Sequence, residues 1–264
     1  SIDVWAMDVA RFGDYASPQY GTIKSSENYE RRFIMTFPNE TLPKGRKQKT
    51  TALYDRFVNQ GAVMGDSFGL ENVLWFANNK ADAHEEPTIK RSRSHDYVSK
   101  EVINVRENVG LIEVANFSKH EFKGPDARKF LDHIMAGRLP KPGRISLSPM
   151  LSYRGKLCGD LTVACLEQNE FMVFGSGAAQ EMHRRWFESH LDKFNLSYSN
   201  RSDEYHGLSI AGPNSRKVLE KIVRDDVSNE KFKFRDSRRM FVGSVPAIIN
   251  RISFTGELGY EIYV

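Results

Sequence analysis

The chain has 264 residues, room for one large or two modest domains at roughly 100 to 200 residues each, and it is 40% hydrophobic and 27% charged. That composition excludes a chain disordered throughout. No run approaches the roughly 18 apolar residues of a membrane helix, the N-terminus lacks a secretory layout, and the net charge of +4 permits anionic partners without requiring them, so the sequence reads as soluble and intracellular, with neither nucleic acid nor membrane as a partner.

Asp3 to Asn39 mixes aromatic and charged residues without a sustained period and reads as loops and short helices. Thr50 or Thr51 can cap a helix whose Leu53, Tyr54, Phe57 and Val58 share one face, with Gly61 placed to end it. Glu71 to Ala77 reads as a strand. Residues 78–96, NNKADAHEEPTIKRSRSHD, hold almost no large apolar side chain and form the best linker candidate. The basic cluster Lys90, Arg91 and Arg93 has no interleaved aromatics on which nucleic-acid bases would stack. Beyond it, Asp96 can cap a helix carrying Val98, Val102, Val105 and Val109 at the helical period. Leu111 to Phe117 reads as a strand. Pro125 at a first helical position and Gly137 beyond the end then frame a further helix.

The phrase GPDARKFLDHI (124–134) returns 88 residues later as GPNSRKVLEKI (212–222), identical at six of eleven positions. SYRGKLCGDLTV (152–163) lines up with SFTGELGYEIYV (253–264) at an offset of 101, identical at four positions. A repeated supersecondary unit is the simplest explanation. It predicts an α+β domain built from two β-α-β-β-like halves that face each other.

This register places Asp160 and Glu261 at equivalent positions, each at the head of an otherwise apolar strand. An acid there either accepts backbone hydrogen bonds at a turn or serves proton transfer and the binding of a ligand's N–H groups. Glu257 lies in the turn itself and reads as solvated. Gly175-Ser176-Gly177 lacks the third glycine of a dinucleotide fingerprint and reads as a strand-to-helix turn. His183 and His190 share a helix face around Trp186 without an acidic or cysteine partner, which favours packing over metal binding. Cys158 and Cys165, seven apart, would point to opposite faces of a strand, which argues against a disulfide, and their spacing does not support zinc. No metal site is expected. Ser1 and the uncapped alternating run Tyr260 to Val264 read as the ends of a piece of something longer.

The runs GLIEVANFSKHEFKGPDARKFLDHI, GKLCGDLTV, AGPNSRKVL and RISFTGELGYEIYV resemble the folate-binding aminomethyltransferase domain of the glycine cleavage system. More closely they resemble its fused form in dimethylglycine and sarcosine dehydrogenases. WAMDVARFGDYA and KGRKQKTTALYDRFVNQGAVMGDSFGLENVLWF look like the segment leading from the FAD-binding oxidoreductase domain into the folate domain. The resemblance implies the tail of an FAD-dependent oxidoreductase domain over 1–80, a linker over 81–96, and an aminomethyltransferase-like folate-binding domain over 97–264, truncated before its C-terminal barrel.

It also implies a flavoprotein that oxidises an N-methyl amino acid such as dimethylglycine or sarcosine, with the folate domain capturing the carbon as 5,10-methylenetetrahydrofolate. Alternatives are a stand-alone aminomethyltransferase and a non-catalytic folate-binding module. Asp160 matches the family's Asp beside the reacting folate nitrogens, and Glu261 matches its pterin-binding Glu. Glu257, Phe254, Leu147 and Met150 join them as cofactor-binding candidates, with Phe254 standing where the fused dehydrogenases often carry Tyr. Tetrahydrofolate is the expected cofactor of this segment. FAD belongs to the full-length protein, because no GxGxxG is present here. The expected partners are the N-methyl substrate and the rest of the same polypeptide, in a bacterial cytoplasm or a mitochondrial matrix.

Overall fold

The structure, a computed structural model, describes residues 7–38 and 40–264. The chain divides into two units, Asp8–Asn104 and Val105–Val264. In the first, helix α1 (Pro18–Glu30) begins with Pro18 behind Ser17, whose hydroxyl accepts from the Tyr20 amide at 3.2 Å, the expected chemistry of a helix start. Helix α2 (Tyr54–Asn59) leads to Gly61 at φ +92°, where a Cβ would lie 2.4 Å from the Ala77 carbonyl oxygen, so only glycine fits the turn. A hairpin follows, β1 (Ala62–Ser67) with β2 (Leu70–Phe76). β1 was not legible in the sequence because Gly65, Asp66 and Ser67 interrupt its apolar alternation. Val63, Trp75 and Ala77 make the hairpin's small core. Residues 77–93 are irregular and pinned by polar contacts, with Asp82 accepting from Arg93 at 2.8 Å and from the Tyr97 hydroxyl at 2.9 Å. Helix α3 (Ser94–Glu107) forms where the valine spacing predicts it, yet none of its residues is buried.

The second unit continues through β3 (Gly110–Glu113), β4 (Ser118–Lys123), α4 (Ala127–Ile134), β5 (Arg144–Leu151), β6 (Leu157–Glu167), β7 (Glu170–Gly175), α5 (Gln180–Glu188), β8 (Ser197–Asn200), β9 (Gly207–Ala211), α6 (Ser215–Leu219), β10 (Ser237–Val242), β11 (Val245–Asn250) and β12 (Gly259–Tyr263). Its strands form two five-stranded antiparallel sheets, ordered β5-β6-β7-β4-β8 and β10-β11-β12-β9-β3. Each half is a strand, a helix and a three-stranded meander. The fifth strand comes from the other half's lead-in. β3 precedes β4 but pairs with β9, and β8 precedes β9 but pairs with β4. The architecture is the expected α+β pair of halves, with this exchange adding a strand to each. No helix among the described residues is long and apolar enough to cross a membrane.

The strand expected over 111–117 stops at Glu113, since the chain must leave one sheet there and enter the other. Lys119 holds this crossing together. It is fully buried, and its ammonium donates to the carbonyls of Ala115 at 2.8 Å, Phe117 at 2.7 Å and Ser202 at 3.2 Å, which replaces the water it has lost.

The two sequence matches fare differently. The offset of 88 joins true equivalents, α4 and α6, each following the strand that starts its half. The offset of 101 does not. By sheet order β6 corresponds to β11 and β7 to β12, so Asp160 on β6 and Glu261 on β12 are not equivalent positions. Strand, glycine turn and returning strand recur at every hairpin of a meander, and the match joined hairpins one step apart.

Outer and inner faces of the sheets are distinct. Outward, Phe122, Leu161, Val163, Phe171 and Val173 pack against Phe130, Leu131 and Ile134 of α4 and Phe187 of α5. The other sheet covers α6 with Ile210, Ile249, Tyr260 and Ile262. Inward, Ile145, Ala164, Leu166, Met172 and Phe174 of one sheet meet Ile248 and Tyr263 of the other. Cys158 and Cys165 were expected on opposite faces. Both instead pack on the outer cluster as free thiols, because a bulge at Cys158, between the pairs Met150↔Gly159 and Leu151↔Leu157, resets the alternation.

The Phe174 and Tyr263 rings stack at 4.3 Å between centroids across the inner core. Phe174→Ala should therefore cost about 3 to 5 kcal/mol, whereas Phe241→Ala, at a side chain 57% exposed, should cost less than about 1. Urea midpoints check this. Equal, small shifts for both would mean that the inner faces do not hold the sheets together.

Candidate functional site

Alternation along the strands decides which side chains share the space between the sheets. On β6, Leu161, Val163 and Cys165 join the outer core, so Asp160, Thr162 and Ala164 face inward. On β12, Tyr260 and Ile262 face outward, so Glu261 and Tyr263 face inward. Thr162 lies directly across from Phe174, Phe174 stacks on Tyr263, and the Tyr263 hydroxyl donates to Glu261 Oε2 at 2.9 Å. Asp160 and Glu261 thus lie on opposing inner faces, Glu261 two residues from the stacked Tyr263 and Asp160 two residues from Thr162, which pairs with Phe174.

Their environments differ. Asp160 is exposed, whereas Glu261 is 9% exposed. Burial pushes the Glu261 carboxyl above the ordinary carboxylate range, and the Tyr263 hydrogen bond opposes that rise by stabilising the charged form. Glu261 Oε1 makes no hydrogen bond among the described residues.

The remaining candidates scatter. Leu147, 62% exposed, sits opposite Thr162 on β5 and shares the inner face with Asp160. Met150 does not. It is fully buried on the outer side, among the residues under α4. Phe254 and Glu257 lie in the loop between β11 and β12, with Phe254 almost wholly exposed. The Thr255 hydroxyl and its own backbone amide hold the Glu257 carboxyl below its usual range.

Sequence reasoning missed Asn250, the last residue of β11. It is fully buried and directly opposite Glu261 in the register. Its Oδ1 accepts from the Ser237 hydroxyl at 2.7 Å, while its Nδ2 has no hydrogen-bond partner. The available signal was an amide closing the apolar run Ala247-Ile248-Ile249.

His120 and His183 belong to the outer face, beside Phe187. His183 Nε2 donates to the Cys158 carbonyl at 3.2 Å, and its ring lies beside those of His120 and Phe187. Burial pushes His120 down to about 3, so this pair is neutral near pH 7. No group of three or more His, Cys, Asp or Glu among the described residues is arranged to hold a metal ion. A cleft of about 550 Å³ lies in the first unit, lined by Glu40, Arg46, Glu85, Glu86 and Lys90 among others, and contains none of the candidate residues.

Residues 53–264 match the family model of the GCVT N-terminal domain, and residues 1–51 match that of the FAD dependent oxidoreductase central domain. The chain is 33% identical over 266 residues to the mitochondrial dimethylglycine dehydrogenase of Homo sapiens, covering 99% of this chain and 30% of that protein. It is 25% identical to the mitochondrial sarcosine dehydrogenase of Homo sapiens, covering 99% of this chain and 33% of that protein. Among solved structures, the glycine cleavage system aminomethyltransferase T from Bartonella henselae shares the fold, with a TM-score of 0.67 at 22% identity over 82% of this chain and 53% of that one. The chain spans about a third of the length of the curated relatives it matches.

The raised Glu261 carboxyl has a stability signature. The folded state holds the proton more tightly than the unfolded chain, so stability falls as pH rises from the ordinary carboxylate range through the raised folded value. The slope from one such group is at most about 1.4 kcal/mol per pH unit. Glu261→Gln should remove this fall while leaving the opposite, acid-side slope of paired carboxylates such as Glu170 in place. Urea unfolding from pH 4 to 8 measures the difference. Parallel curves for the two proteins would contradict a buried, titrating Glu261.

Proposed function

The chain belongs to the GCVT N-terminal domain family, and from that premise we propose that it is the folate-handling part of an FAD-dependent oxidative demethylase of N-methyl amino acids. In this reading the full-length protein oxidises a substrate of the dimethylglycine or sarcosine type, and this segment captures the released carbon as 5,10-methylenetetrahydrofolate. One observation carries the reading. A match to an FAD dependent oxidoreductase central domain over 1–51 is followed directly by the match to the GCVT N-terminal domain over 53–264. A stand-alone aminomethyltransferase or a bare folate-binding module gives no reason for the first of these segments.

The residues present fit tetrahydrofolate. A pterin edge offers adjacent N–H donors, and Glu261 offers a buried carboxylate with one oxygen held by Tyr263 and the other without a hydrogen bond. Bound there, the cofactor would supply the two amine nitrogens that take up a one-carbon unit. Asp160, exposed on the facing sheet, is the proton acceptor of this reading and stabilises positive charge that develops near it. Glu261 orients the ring. Leu147 adds an apolar wall on the Asp160 side. The proposed domain limits remain 1–80, 81–96 and 97–264, with FAD held by the rest of the polypeptide, in the bacterial cytoplasm or the mitochondrial matrix.

Two substitutions in the full-length protein test this. Asp160→Ala should lower methylenetetrahydrofolate formation by about 10²- to 10⁴-fold while dimethylglycine still reduces the flavin. Equal loss of both activities, or of neither, counts against the assignment. Glu261→Gln keeps the shape but sets a donor against a donor, so tetrahydrofolate affinity by calorimetry should fall by about 2 to 4 kcal/mol. Unchanged affinity with a sharply lowered melting temperature would make Glu261 a purely structural acceptor.

A further inference from the structure

Asn250 and Glu261 stand side by side on β11 and β12, on the inner face of one sheet. Opposite residues on neighbouring antiparallel strands have Cβ atoms about 4.5 to 5.5 Å apart, close enough for their polar ends to meet adjacent atoms of one ring. The Ser237 hydroxyl on β10 occupies Asn250 Oδ1, which leaves Nδ2 as the edge of the amide open to a partner, and on its other side Asn250 pairs with Glu261 of β12. That Nδ2 is buried and unpartnered. Buried donors are nearly always paired, so an orphan of this kind calls for an acceptor. Glu261 does not supply it. Its Oε2 is drawn along the strand to Tyr263, and its Oε1 is left open. The result is one free N–H donor beside one free carboxylate oxygen. Their chemical complement is a ring carbonyl next to a ring N–H, the edge of a lactam.

Resting on the folate reading above, we propose that Asn250 is a specificity-determining residue of the site: its Nδ2 donates to the 4-oxo group of the pterin while Glu261 accepts from the neighbouring ring N–H, so that the site selects 4-oxo over 4-amino pterins. A 4-amino group sets a donor against the Asn250 donor and removes the ring N–H. Ser237 is the positioning residue that keeps the amide in the donating orientation.

The test measures tetrahydrofolate and tetrahydroaminopterin, its 4-amino counterpart, by calorimetry on the full-length protein. The unaltered protein should prefer tetrahydrofolate by about 10- to 100-fold. Asn250→Ala should lower that preference severalfold, by weakening tetrahydrofolate and relieving the clash with the 4-amino group, leaving only the part that Glu261 supplies. Asn250→Asp keeps the shape and still accepts from Ser237, yet it presents an acceptor, and should invert the preference. A merely structural residue would weaken both ligands alike. An undiminished preference for tetrahydrofolate in either variant overturns the inference while leaving the folate reading intact, and Asn250→Asp decides the matter if Asn250→Ala does not fold. Failure of the unaltered protein to bind either pterin overturns the folate reading, and the inference falls with it.

Discussion

The stacked contact between Phe174 and Tyr263 is the constraint on which the second unit turns. It lies in the core shared by the inner faces of both sheets, and its tyrosine holds Glu261. Tyr263 is wholly buried, so its hydroxyl must find an acceptor, and the nearest on its own strand face is Glu261 two residues back. Packing between the sheets therefore fixes the tyrosine, the tyrosine fixes one oxygen of the glutamate, and the other oxygen remains available. The strand exchange strengthens the same arrangement. Because β3 and β8 each complete the sheet of the other half, neither half closes its own hydrogen-bond ladder alone.

Buried polar groups are handled in three ways. Lys119 donates to three backbone carbonyls. His120 gives up its charge because burial, helped by the neighbouring His183, pushes it down to about 3, and its Nδ1 meets the Tyr198 hydroxyl at 2.9 Å. Glu261 and Asn250 are each half satisfied, the carboxylate by Tyr263 and the amide by Ser237. Lys119 is satisfied by the chain itself, while His120 Nε2 and His183 Nδ1 stay unpartnered within the outer core. Glu261 and Asn250 differ from the histidine pair in standing opposite each other on the inner face, where an open acceptor and an orphan donor can meet one ligand together.

Much of the local structure was legible in advance. Apolar spacing with Gly61 located α2 and the frame of Pro125 and Gly137 located α4, although neither expected start held. Leu53 stands at the α2 N-cap in place of Thr50 or Thr51, and α4 begins at Ala127, two residues after Pro125. The glycine pair after β7 marked a turn into a short helix and α5. These signals are local because each depends on backbone geometry within a few residues. β1 escaped notice because its polar residues conceal the period, and β3 was drawn too long because nothing within 111–117 says that its ends belong to different sheets. Of the candidate residues, Asp160, Leu147 and Glu261 lie on inner faces. Met150 lies on the outer one, because it pairs with Gly159 on the outward-facing side of the strand.

By itself the sequence determined the element types, the α+β class, the repeated strand-helix phrase and the identity of two carboxylates in apolar strands. It did not determine which strands correspond between the halves, which faces they share, or that a bulge at Cys158 reverses the parity of β6 ahead of Asp160. Those are matters of register and sheet order. A displacement of one residue or one hairpin changes the face or the neighbour without altering the local pattern. The pairing of Asn250 with Glu261 is the plainest case. The two lie eleven residues apart around a loop, and only the antiparallel pairing of β11 with β12 sets an orphan amide beside an open carboxylate oxygen.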